Sequence, residues 1–195
     1  MQNMDDHHLL FRNSLKSYIF ALAILLCAVL LCPTTGMRAQ AGNSIEAAGE
    51  VLTFLLPATA AGLTAGLKDG QGALQLGASA AVTLGVTYGL KYTVNETDPN
   101  GDDHSFPSTH TSLSFASAEY MRKRYGWGFG IPAYAAATFV AVSRVEAKEH
   151  YVQDVLAGAA IGIASSYLLS HPYQGWGLQP EVGRKYYGIR LDCSW

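Results

Sequence analysis

Two stretches of the chain carry no charged residue, Val51 to Leu67 and Gln71 to Leu90, and a third runs from Tyr125 to Ser143. Each is about the length that a membrane-spanning helix needs, roughly 20 residues. A last helix is predicted from about His150 to Leu169. Such runs leave two folds open. The helices cross a membrane, or they are buried against one another in a water-soluble all-α domain. Alanine, glycine and leucine dominate the apolar set, which suits close helix packing. Only 14% of the 195 residues are charged, well below the usual share. The length supports one domain.

The segments between these runs read as punctuation. Lys68-Asp69-Gly70 makes a turn, and Pro57 is tolerable inside a bundle helix. Lys91 to Phe106 is rich in Asn, Asp, Pro and Gly, hence a loop. Ser108 or Thr109 then caps a helix from His110 to Met121, which is short for a span. That helix ends in Arg122-Lys123-Arg124, followed by Gly126. Val145 to Glu149 is a loop. Residues 173–195 form an aromatic, mixed tail in which Tyr187 to Trp195 reads as a short strand.

Residues 1–41 read in two ways. Arg12 and Lys16 precede an apolar run from Tyr18 to Cys32, the layout of an export signal, with cleavage after Ala41. The same run also serves as an uncleaved first membrane helix. Residues 42–172 then form the helical domain, with five helices, or six if the N-terminus is retained. Both readings place Arg122, Lys123, Arg124 and Lys68 in the cytoplasm, in agreement with the positive-inside rule. Lys91, His110, Arg144 and His150 then fall on the opposite, periplasmic side. Net charge is −2 and no basic stripe points to nucleic acid. Three cysteines make no disulfide framework.

The chemistry gathers at three loop–helix junctions on that side. In Ser143-Arg-Val-Glu-Ala-Lys-Glu-His-Tyr-Val-Gln-Asp154, His150 and Asp154 are four residues apart. On a helix starting near His150 both lie on one face. The carboxylate then holds the imidazole in one tautomer and makes its other nitrogen a better nucleophile. Arg144 offers a planar fork of donors for a phosphate. Pro107-Ser108-Thr109-His110 opens a helix whose free N–H groups and dipole favour an anion. Ser108 adds a hydroxyl donor, and His110 is placed to protonate a departing alkoxide. Lys91 adds a point charge. A phosphate between His150 and His110 has the layout for in-line transfer through a phosphohistidine.

These residues resemble the type 2 phosphatidic acid phosphatases, which share their site with bacterial class A acid phosphatases and vanadium haloperoxidases. The family signature has three parts: Lys-x6-Arg-Pro, Pro-Ser-Gly-His and Ser-Arg-x5-His-x3-Asp. The third is complete here as Ser143-Arg144, His150 and Asp154. The second carries Thr109 in place of glycine. The first reads Lys91-x6-Asp98-Pro99, with aspartate in place of arginine. The resemblance implies a membrane bundle and a hydrolase of lipid phosphates or pyrophosphates at the outer face of the inner membrane. It implies His150 as nucleophile, Asp154 as its orienting partner and His110 as general acid. Lys91, Ser108 and Arg144 would bind phosphate. Thr109, where the sequence departs from the family, adds a hydroxyl able to donate to phosphate. No metal or other cofactor is implied. A secreted soluble acid phosphatase is the rival within the enzyme class. A headgroup-binding protein that has lost catalysis is the rival outside it, favoured by Asp98 and Thr109.

Other features have plainer readings. His7, His8, His104 and His171 read as solvated, and Asp102-Asp103-His104 fits no defined metal-ligand set. Glu146 and Glu149 read as loop charges, Lys148 as a spare phosphate contact, and the basic triplet as a topology signal.

Overall fold

A computed structural model describes residues 41–94, 96–101, 103–173, 176–183 and 186–193. The two readings of the N-terminal segment fall on residues outside these. Five helices follow in order: α1 Ala41–Gly66, α2 Gly70–Val94, α3 Thr109–Tyr125, α4 Trp127–Glu146 and α5 Val152–Leu169. Successive helices run up and down. One end of the bundle therefore collects the start of α1, α3 and α5 and the finish of α2 and α4.

Four of the five helices, all but α3, are long and apolar enough to cross a membrane. Their outer faces carry Val51, Phe54, Leu74, Ile131, Leu156 and Leu168, each more than half exposed. Bare apolar side chains on this scale suit a lipid surround and not water. Helix α3 presents no large exposed apolar residue. It is the central helix and packs against the other four. Its buried charged side chains, Glu119 and Arg124, are satisfied inside the bundle. Buried Glu119 accepts from Arg122 at 2.6 Å and from the Tyr134 hydroxyl at 2.5 Å.

Small residues let α5 lie tightly along α3. A Cβ added at Gly158 would sit 2.6 Å from the Ser108 carbonyl oxygen, and one at Gly162 would sit 2.7 Å from the Ala116 nitrogen. The Gly-x3-Gly spacing thus brings the start of α5 against the start of α3.

The far end is tied by buried charge. Arg124 donates to both oxygens of Asp69, at 2.7 and 2.5 Å, and the Tyr125 hydroxyl donates to Asp69 at 3.0 Å. Arg124 also donates to the His171 carbonyl at 2.9 Å, which fastens the chain leaving α5. Arg124 is therefore a buried cross-link, and the Lys68-Asp69-Gly70 turn supplies its partner.

One boundary is as expected and two differ. Helix α3 keeps the basic triplet and ends at Tyr125, stopped by Gly126 with its φ of 92°. Helix α5 begins at Val152 and not at His150. The tail holds an antiparallel hairpin, Trp176–Gly183 with Tyr186–Cys193. Its second strand lies close to the expected one, and its first strand was not expected. The bundle is all-α, and the hairpin is an addition beyond it.

Candidate active site

The last turn of α4 delivers Arg144, and a tight turn through Lys148 at φ 59° leads back to the bundle. His150 then precedes the N-cap residue Tyr151. The histidine and Asp154 therefore do not share a helix face, as their spacing suggested. They meet because the Asp154 carboxylate folds back over the start of its own helix. It accepts the Tyr151 N–H at 3.0 Å and lies 3.4 Å from His150 Nδ1. Both side chains are buried.

The loop before α3 closes over this pair. The Ser105 hydroxyl donates to Asp154 Oδ2 at 2.6 Å and lies 3.2 Å from His150 Nδ1. Ser108 caps α3, accepting from the Thr111 N–H at 3.4 Å, and its own N–H donates to the Asp154 carbonyl at 3.1 Å. Thr109 is the first residue of α3 and His110 stands in its first turn. Lys91, in the last turn of α2, donates to the carbonyls of His104 at 2.6 Å and Ser105 at 3.2 Å. An ammonium has three protons, so one remains for a ligand. His104, expected as solvated, is half-buried, with its ring edge against Tyr92 and its carbonyl on Lys91.

Arg144 is buried, and acids hold its fork. Nη1 donates to Glu149 at 2.7 Å and to Glu50 at 3.2 Å, and Nη2 donates to the Glu46 carbonyl at 2.9 Å. Glu50 also stands 3.8 Å from His110 Nε2. Glu149 is thus a partner of the guanidinium and not a loop charge. Asp98 accepts the Asn100 N–H at 2.8 Å, within its own turn. Lys148 is exposed.

Electrostatics show that these groups converge. Burial first, and then the Lys91 charge, lower the pKa of His150 to about 4, against the pull of Asp154. His110 is also lowered, first by burial and then by Arg144, while Glu50 and Glu149 oppose this. Lys91 acts on both histidines. A phosphate arriving among these cations would favour the charged form of His110. The site thus offers a neutral buried imidazole, a second imidazole at a helix N-terminus, an ammonium and a guanidinium.

All seven expected residues, Lys91, Ser108, Thr109, His110, Arg144, His150 and Asp154, lie at this one end of the bundle. Ser105, Glu50 and Glu149 were missed. Glu46 and Glu50 carried a weak signal, since acids four apart share a helix face. Ser105 carried none, being one polar residue in a polar loop. Among the described residues, no cluster of His, Cys, Asp and Glu has metal-binding geometry. A cleft of about 500 Å3 between α1, α2 and α3 lies toward the other end, near Lys68 and Asp69. It is apart from this chemistry.

A profile of the PAP2 superfamily matches residues 72–177, which contain all three clusters. The chain is 30% identical over 170 residues to the lipid A 4′-phosphatase of Helicobacter pylori, covering 77% of this chain and 85% of that protein. The chain belongs to the PAP2 superfamily. It is a membrane phosphatase of that family. The PAP2 match extends to a lipid A 1-phosphatase of Porphyromonas gingivalis, 36% identical over 88 residues, which cover 43% of this chain and 20% of that protein. Two solved structures share the PAP2 fold. LpxE of Aquifex aeolicus superposes with a TM-score of 0.54 at 19% identity, covering 75% of this chain and 92% of that one. The PAP2-type phosphatidylglycerolphosphate phosphatase of Bacillus subtilis superposes with a TM-score of 0.53 at 23% identity, covering 80% and 85%. A soluble acid phosphatase does not fit four apolar spans and these membrane relatives.

Proposed function

We propose that this PAP2 chain removes phosphate from a membrane lipid through a phosphohistidine at His150, on the periplasmic face of the bacterial inner membrane. The carrying observation is the state of His150. Its Nδ1 faces Asp154 at 3.4 Å and Ser105 at 3.2 Å, which leaves Nε2 as the free nitrogen. That nitrogen attacks phosphorus, and the bond from phosphorus to the lipid oxygen breaks. His110 gives its proton to the departing alkoxide. Water then attacks the phosphohistidine while His110 takes back a proton. The phosphorus–nitrogen bond breaks and phosphate leaves. Lys91, Arg144 and the α3 N-terminus with Ser108 and Thr109 hold the charge that develops on the transferring group.

The named relatives make a phosphate of lipid A the first substrate to try, with lipid pyrophosphates next. The periplasmic placement rests on charge. Lys68, Arg122, Lys123 and Arg124 all sit at the end away from the site, and such clusters mark the cytoplasmic side. The decisive experiment is phosphate release by the purified protein from a panel of lipid and soluble phosphates, with His150→Ala as the blank. Full activity in that blank would remove His150 as nucleophile. A second reading, headgroup binding without turnover, draws on the acids that hold Arg144 and on Asp98 in the first cluster. Substrate retention with no phosphate release across the panel would favour it.

A further inference from the structure

Ser105 stands where the three clusters join, although no part of the family signature contains it. Each of its polar groups reaches a different part of the site. Its N–H donates to the Glu96 carbonyl at 2.7 Å, and its own carbonyl accepts Lys91 at 3.2 Å. Its hydroxyl lies 2.6 Å from Asp154 Oδ2 and 3.2 Å from His150 Nδ1, and only 3% of the residue is exposed.

A hydroxyl has one proton and two lone pairs. The shorter contact commits the proton to Asp154, which can only accept when ionised. Toward His150 the oxygen then has a lone pair to offer. That contact is a hydrogen bond only if Nδ1 carries the proton. The Nδ1–H is therefore shared between two acceptors, Ser105 Oγ and Asp154 Oδ2. The ring is held from two directions, and Nε2 keeps its lone pair.

We propose that Ser105 is a positioning residue for phosphoryl transfer, holding His150 in the Nδ1–H tautomer and aiming Nε2 at phosphorus. The proposal rests on the reading of His150 as nucleophile. A serine that merely packs the loop would alter stability. It would not select a tautomer, nor lower kcat while sparing KM.

The test uses the full chain in detergent micelles. Its first readout needs no turnover. Histidine-selective 15N spectra, with the His150 signals assigned by their loss in His150→Gln, should show one Nδ1–H tautomer in the native protein. Ser105→Ala should give a mixture of tautomers, and Ser105→Thr, which keeps the hydroxyl, should restore the single form. The second readout is kinetic, on whichever lipid of the panel releases phosphate. We expect kcat to fall about 10- to 100-fold in Ser105→Ala with KM nearly unchanged, the scale seen when the outer partner of a metal-bound histidine is removed. Ser105→Cys, nearly isosteric and a weak donor, serves if the alanine variant does not fold, and the same fall is expected. A single Nδ1–H tautomer in Ser105→Ala or Ser105→Cys, or full kcat in either, overturns the proposal. Full activity in His150→Ala instead overturns the nucleophile assignment, whatever the serine variants do.

Discussion

The two histidines of the site must be in opposite protonation states to do their work. His150 attacks only when neutral, and burial keeps it so down to about pH 4. His110 donates only when charged, and its pKa lies below the ordinary histidine value. The kcat/KM of the free enzyme should therefore be bell-shaped against pH, with its maximum on the acid side. Its acid limb should fall near 4 and its alkaline limb below the ordinary histidine value. A maximum on the alkaline side would contradict the assignment. The same group carries a stability cost. As pH drops below the ordinary histidine value, the unfolded chain takes up a proton that folded His150 refuses until about pH 4. Stability should fall across that window, read as a declining denaturation midpoint. Asp98 is the other test at this scale. Asp98→Arg replaces an acid held within its own turn with a fork of donors, and one charge-assisted bond is worth about tenfold in affinity. A rise in kcat/KM of about that size is expected, and a fall would show that Asp98 has its own role.

Single elements set how closely these residues meet. The α3–α5 contact depends on Gly158 and Gly162, where any side chain would strike the backbone of α3. Gly162→Leu should cost roughly 1–3 kcal/mol through overpacking. It should lower activity further, since His150 and Asp154 ride on the start of α5. Thermal denaturation in detergent beside kcat measures both effects. Gly85 is the contrast, because nothing lies within 4 Å of a Cβ built there. Gly85→Ala should raise stability by about 0.5–1 kcal/mol, the helix-propensity difference, with kcat unchanged. Helix identities were legible at this scale, since charge-free runs of spanning length leave few options. Helix starts were less so. The His150–Asp154 spacing fits a helix face, yet the capping contact of Asp154 with Tyr151 competes for the same carboxylate and delays the helix to Val152.

Across the whole molecule, the site at one end is balanced by the Asp69–Arg124 pair at the other. Burial raises the carboxyl of Asp69, but Arg124, the Gly72 N–H and Tyr125 outweigh it and leave its pKa lowered. Arg124→Leu would strand this buried charge and should cost about 3–5 kcal/mol. Because the pair lies away from the chemistry, KM should hold in the molecules that remain folded. The exposed apolar faces of α1, α2, α4 and α5 make a further statement about the intact protein. It should stay with the membrane through carbonate washing, and release would contradict the bundle described.

The covalent order of residues was enough for the membrane helices, for the end of the bundle that carries the chemistry and for the three clusters with their family. Charge-free length and fixed spacing are local properties, and a linear reading can see them. Which partners those residues take was settled by packing. Ser105 on the histidine, Glu50 and Glu149 on Arg144, and Asp69 beneath Arg124 join positions far apart in the chain, except for Glu149. Each pairing exists because a buried polar group must find a partner, and only the folded bundle determines which one is within reach.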